Sequence, residues 1–93
     1  MLNLESRYAL TAGVKFRSED FGGIVYKREN DQLIFLNSSL AIKILTMAGQ
    51  GTVQEIVSII SIYGSDISRD IEKHVLNILS SLKEMGIIYE LAE

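Results

Sequence analysis

Two hydrophobic periods divide the chain. Between Gly13 and Asn37, β-branched and aromatic residues alternate with charged ones, the two-residue period of short strands. Val14 and Phe16 alternate with Lys15 and Arg17, and Ser18-Glu19-Asp20-Phe21-Gly22-Gly23 then turns the chain on two glycines free to take positive φ. Ile24 to Arg28 reads as a second strand and Glu29-Asn30-Asp31-Gln32 as a polar hairpin turn. Leu33 to Leu36 is the third strand. It is apolar on both faces, so neither face is simply left to water in the working state.

After Asn37 the period lengthens to three or four, predicting three helices. Asn37, Ser38 or Ser39 caps the first, whose apolar face is Leu40, Ala41, Ile44, Leu45 and Ala48, and Gly49 and Gly51 close it. Thr52 and Glu55 have the spacing of a capping box, in which each side chain satisfies the other residue's amide, and Val53, Ile56, Val57 and Ile60 continue the second helix to Gly64. The third begins near Asp66 or Ser68, with Ile67, Ile71, Val75, Ile78, Leu82 and Met85 on its main face. Gly86 stops it, and Ile87-Ile88-Tyr89 adds a short final strand. The predicted fold class is α+β: a small three-stranded antiparallel sheet followed by a three-helix, winged-helix-like unit. Residues 1–12 read as a loosely ordered N-terminal arm, and residues 13–93 as the domain.

Composition narrows the function. At 93 residues the chain has room for one domain. Having no Cys, it offers no disulfide, thiolate metal site or cysteine nucleophile, and its one His, His74, makes a His-rich metal site improbable. Nine basic against twelve acidic residues give a net charge of −3, which repels a polyanion. The start carries Glu5 and no signal-peptide core, and no stretch approaches the roughly 18 apolar residues of a membrane span. A cytoplasmic protein without a membrane partner is expected. No motif frames a catalytic acid pair, phosphate loop or nucleophile, so the expectation is a protein that is not an enzyme and has no cofactor.

The run Val14-Lys15-Phe16-Arg17-Ser18-Glu19-Asp20-Phe21-Gly22-Gly23-Ile24-Val25-Tyr26, then Leu33-Ile34-Phe35-Leu36-Asn37-Ser38, then Thr52-Val53-Gln54-Glu55-Ile56-Val57 resembles the PqqD family of peptide chaperones. Phe21-Gly22-Gly23 with Tyr26 resembles the mycofactocin-type subgroup, although Asp20 stands where that subgroup often has Pro. The resemblance spans residues 13 to 89. It implies a recognition element for ribosomally synthesised, modified peptides. Such a module binds the leader of the precursor peptide and presents it to a separate radical SAM maturase. Family members take the leader as an added strand beside the third strand, in a groove closed by the third helix. Carried onto this chain, the peptide-binding residues are Leu33, Ile34, Phe35 and Leu36 with the exposed side of the third helix: Arg69, Glu72, Lys73, Leu76, Leu79 and Lys83.

The residues support strand addition on their own account, since it needs an unpaired edge and side-chain pockets. Leu76 and Leu79, beside Glu72 and Lys83, form a second apolar stripe on the third helix. That stripe either walls the groove, packs on Leu2, Leu4, Tyr8 and Leu10 of the arm, or makes a homodimer contact. Phe21 is expected to fold onto the core, Tyr26 to be a core aromatic with its hydroxyl at the surface, and His74 to be partly buried and hydrogen-bonded. The rival function is a winged-helix DNA-binding transcriptional regulator. Its recognition helix would mix Arg69, Lys73, His74 and Lys83 with Asp66, Asp70, Glu72 and Glu84, which leaves no basic stripe for phosphates, so no nucleic-acid partner is expected.

Overall fold

A computed structural model describes residues 2–63 and 70–91. In chain order the elements are β1 (Arg7–Leu10), β2 (Val14–Glu19), β3 (Gly22–Lys27), a single 3-10 turn (Arg28–Asn30), β4 (Gln32–Leu36), α1 (Ser39–Thr46), α2 (Val53–Tyr63), α3 (Asp70–Glu84) and β5 (Ile88–Leu91). The α+β class with antiparallel strands and three helices stands. The expected start of α3 near Asp66 or Ser68 lies outside the described residues.

Among the described residues there are two sheets: β2, β3 and β4 pair in that order, and β1 pairs antiparallel with β5. On the three-stranded sheet, Val25 is buried and Phe16, Ile34 and Leu36 are half-buried against α1, which contributes Ala41, Ile42, Ile44 and Leu45. Val53, Ile56, Val75, Leu79, Leu82, Ile87 and Ile88 complete the core. The smallest extent of the molecule, 18 Å, accommodates two layers. Among the described residues, helices therefore back one face of the three-stranded sheet.

The N-terminal arm departs from expectation. Residues 7–10 are a strand, Leu2 and Tyr8 are buried in the core, and the Tyr8 hydroxyl donates to the Ile44 carbonyl at 2.6 Å. The arm also caps α2: the amide of Val53 donates to the Ser6 carbonyl at 2.8 Å and that of Gln54 to the Leu4 carbonyl at 2.9 Å. Those amides open a helix and have no partner within it, so a chain segment that accepts from them is held in place. A loose arm would leave them and a buried tyrosine without partners.

The glycine pair at the β2–β3 turn has a steric cause. Gly22 has φ of +141°, and a Cβ there would collide with the Leu36 carbonyl. At Gly23 a Cβ would strike the Ile42 side chain. Both glycines let α1 and the start of the helical layer close onto the sheet. Phe21 does not fold onto the core as expected; it is exposed, with its ring 6.2 Å from that of Phe35. The αL residue Asp31 closes the β3–β4 loop and accepts from the Tyr26 hydroxyl at 2.6 Å.

Candidate functional site

The site begins with an edge. Among the described residues nothing pairs with the outer side of β4. Which of its backbone groups are free follows from the hairpin. Glu19 and Gly22 close a two-residue turn, so they exchange both hydrogen bonds, and alternation makes Arg17/Ile24 and Lys15/Tyr26 the next bonded pairs. The Arg28 amide, donating to the Gly13 carbonyl at 3.1 Å, lies on the same phase. Gly23, Val25 and Lys27 then turn their polar groups toward β4, where Leu36, Ile34 and Gln32 answer them. Leu33 and Phe35 are left with N–H and C=O directed away from the sheet, in its plane. Their side chains stand on the outer face, 58% and 63% exposed, while Ile34 and Leu36 point to the core.

Beside this edge runs a groove of about 300 Å³ between the end of β4 and α3, lined among others by Phe35, Leu36, His74, Ile78, Ser81 and Met85. Its floor is Ala41 of α1, which is positioned when the Ser38 hydroxyl caps the helix by accepting from the Ala41 amide at 3.1 Å. Lys27 bridges the sheet to the end of α3, its ammonium donating to the Met85 carbonyl at 2.6 Å. A cation on the last carbonyls of a helix is favoured by the dipole, and here it fixes the spacing of the groove walls.

Of the residues expected to form the site, the strand set is at the edge, but the helix set is elsewhere. Leu79 is 1% exposed and belongs to the core. Leu76 is half-buried and packs against it. Lys83 turns toward β5, where it lies 3.6 Å from Glu90. Glu72 and Lys73 are exposed and do not line the groove, and Arg69 lies outside the described residues. The wall is instead His74, Ile78, Ser81 and Met85, one stripe at helical spacing. His74 is exposed on that wall and not partly buried as expected. Ile78 and Met85, read as core, are half-buried at its margin. The heptad spacing of Ile71, Ile78 and Met85 was the signal, since the deep core follows Val75, Leu79 and Leu82.

No cluster of potential metal ligands occurs among the described residues. No buried polar side-chain atom there lacks a hydrogen-bond partner. Tyr8 titrates far above the ordinary tyrosine range because burial disfavours the phenolate, and Glu55 titrates below the usual carboxylate range because the Thr52 amide and hydroxyl donate to it. Both shifts belong to fold-holding contacts away from the groove. None of the described helices is long and apolar enough to cross a membrane.

Compared with known protein families, residues 7–89 match the model of the peptide chaperone MftB family. The chain belongs to this family. The mycofactocin-type resemblance read from Phe21-Gly22-Gly23 and Tyr26 thus stands. No curated protein sequence matches the MftB-family chain. Among solved structures it is similar to lasso peptide synthetase B1 complexed with the leader peptide, at 17% identity and a TM-score of 0.71, over 89% of this chain and 98% of that one. That likeness shows a shared fold. The family match starts at β1, the segment that sequence reasoning left out of the domain.

Proposed function

We propose that this MftB-family chain is a non-catalytic module that binds the leader of a ribosomally made precursor peptide and presents it to a separate radical SAM maturase. The observation that carries the reading is the free edge at Leu33 and Phe35 beside the groove walled by Ile78 and Met85. The leader joins β4 as an antiparallel strand. Residues bonded to Leu33 and Phe35 stand on the outer face, and those between them point into the groove, because paired residues share a face. The fold shared with lasso peptide synthetase B1, a protein solved in complex with the leader peptide, supports the same reading.

Each added hydrogen bond contributes only about 0.5–1.5 kcal/mol net, and ordering the peptide offsets part of this, so the groove must supply selectivity. Titration calorimetry with synthetic leaders of any short peptides found encoded beside the gene should show binding, and random duplex DNA should show none at physiological salt. N-methylation along a leader that binds should be damaging at two amides two residues apart and tolerated at the amide between them. A leader that binds with equal affinity whichever amide is methylated is not an added strand. DNA binding with a steep salt dependence would transfer the function to a regulator.

A further inference from the structure

Among the described residues nothing covers the outer face of the three-stranded sheet, and that face carries an ordered pattern. Two cross-strand rows run over it: Lys15, Tyr26 and Leu33, and next to them Arg17, Ile24 and Phe35. These side chains line a shallow cavity of about 410 Å³. Read across the sheet, β2 supplies cations and β3 and β4 supply an apolar strip, which Phe21 extends at one end. Arg28 stands beside Lys15 at the other end. Among the described residues no carboxylate pairs with Lys15 or Arg28, and Arg17 has only an exposed pair with Glu19 at 2.6 Å, which water screens.

We propose that this face docks an amphipathic helix with one acidic flank, belonging to the enzyme that receives the peptide; the identity of that partner rests on the peptide-presenting reading above. Three strands about 4.8 Å apart make a strip roughly 10 Å wide, the diameter of a helix with its side chains. A helix laid along the strands sets its apolar stripe on Ile24, Tyr26, Leu33 and Phe35 and its carboxylates over Lys15 and Arg17. The free hydrogen-bonding groups of β4 lie in the plane of the sheet, so helix and peptide bind together, and leader residues paired with Leu33 and Phe35 emerge on the face that the enzyme touches. An anionic membrane fits less well, because Glu19 and Asp20 at one end and Glu29 and Asp31 at the other would meet its phosphates.

The test uses the full chain, isotopically labelled for NMR, with a capped synthetic helix that has a leucine stripe and glutamates on one flank, and a counterpart with lysines in their place. The glutamate helix should shift the amides of Lys15, Arg17, Ile24 and Tyr26 and bind at least tenfold more tightly than the lysine helix. The double substitution Lys15→Glu and Arg17→Glu should reverse that preference while leaving leader affinity unchanged, which separates docking from peptide binding. Equal binding of both helices, shifts confined to the β4–α3 groove, or burial of this face between copies, seen as Lys15, Arg17, Ile24 and Tyr26 amides that shift with protein concentration, overturns the proposal. So does capture by phosphatidylserine vesicles but not by the glutamate helix. If leaders fail to bind while the helix maps to this face, the peptide reading falls and the docking surface stands.

Discussion

Leu79 and Ile78 are neighbours in sequence with opposite duties. Leu79 is enclosed by core side chains, whereas Ile78 sits at the groove margin. Leu79→Ala should lower stability by about 2–5 kcal/mol, the cost of lost transfer energy plus a cavity. Ile78→Ala should lower the melting temperature much less yet weaken leader binding roughly ten- to a hundredfold, about 1–3 kcal/mol. Thermal melts beside calorimetry check both, and equal loss of melting temperature without loss of affinity would place Ile78 in the core. Tyr8 gives a pH signature. Its folded-state pKa lies above its unfolded one, so its contribution is complete below about pH 10 and is lost as pH rises beyond that. Between pH 9 and 11 urea unfolding should show a larger loss of stability in the parent than in Tyr8→Phe.

At the scale of elements, the start of α2 was fully legible. Thr52 and Glu55 form the predicted box: the Thr52 amide donates to the Glu55 carboxylate at 3.0 Å and the Glu55 amide to the Thr52 hydroxyl at 3.3 Å. Since the carboxylate is held below its usual range, its stabilisation is present above the unfolded pKa and is lost as pH falls through the folded one. Amide protection in the first turn of α2 should therefore drop on acidification, and Glu55→Ala should show the low protection already at neutral pH. The phase of α3 was less legible. Its apolar residues occupy two faces because the helix has core on one side and a groove on the other, and hydropathy records apolar character without saying which side water reaches. The β2–β3 hairpin makes the glycines a test of packing. Gly23→Ala should destabilise by about 1–3 kcal/mol through its clash with Ile42, while an alanine at the open position of Gly49 should act only through its positive φ.

For the whole molecule the arm is decisive. A chain lacking residues 1–10 loses the partner strand of β5, the buried Tyr8 and the acceptors for the first amides of α2, so it should lose cooperative unfolding by circular dichroism. Retained two-state unfolding would make β1 dispensable. The exposed β4 edge predicts assembly as well: in the absence of peptide, copies should pair through it in a monomer–dimer equilibrium that leader competes with. Sedimentation showing an oligomer insensitive to saturating leader would exclude that shared edge.

The sequence by itself determined local features: the three strands between Val14 and Leu36 and the turns that join them, a polar cap for α1 among Asn37, Ser38 and Ser39, the Thr52–Glu55 box and a chain reversal between Ser18 and Gly23. Each depends on neighbours a few residues away, so spacing suffices. Leu33 to Leu36 was legible as a strand apolar on both faces, whereas its place at the edge was implied by the family resemblance and follows from the sheet order. Tertiary structure alone decided which α3 residues wall the groove, why Gly23 faces Ile42, and that Tyr8 and β1 belong to the core. Those outcomes depend on contacts between segments far apart in the chain, such as β1 with β5 and Ser6 with Val53, whose pairing leaves no periodic trace in either segment.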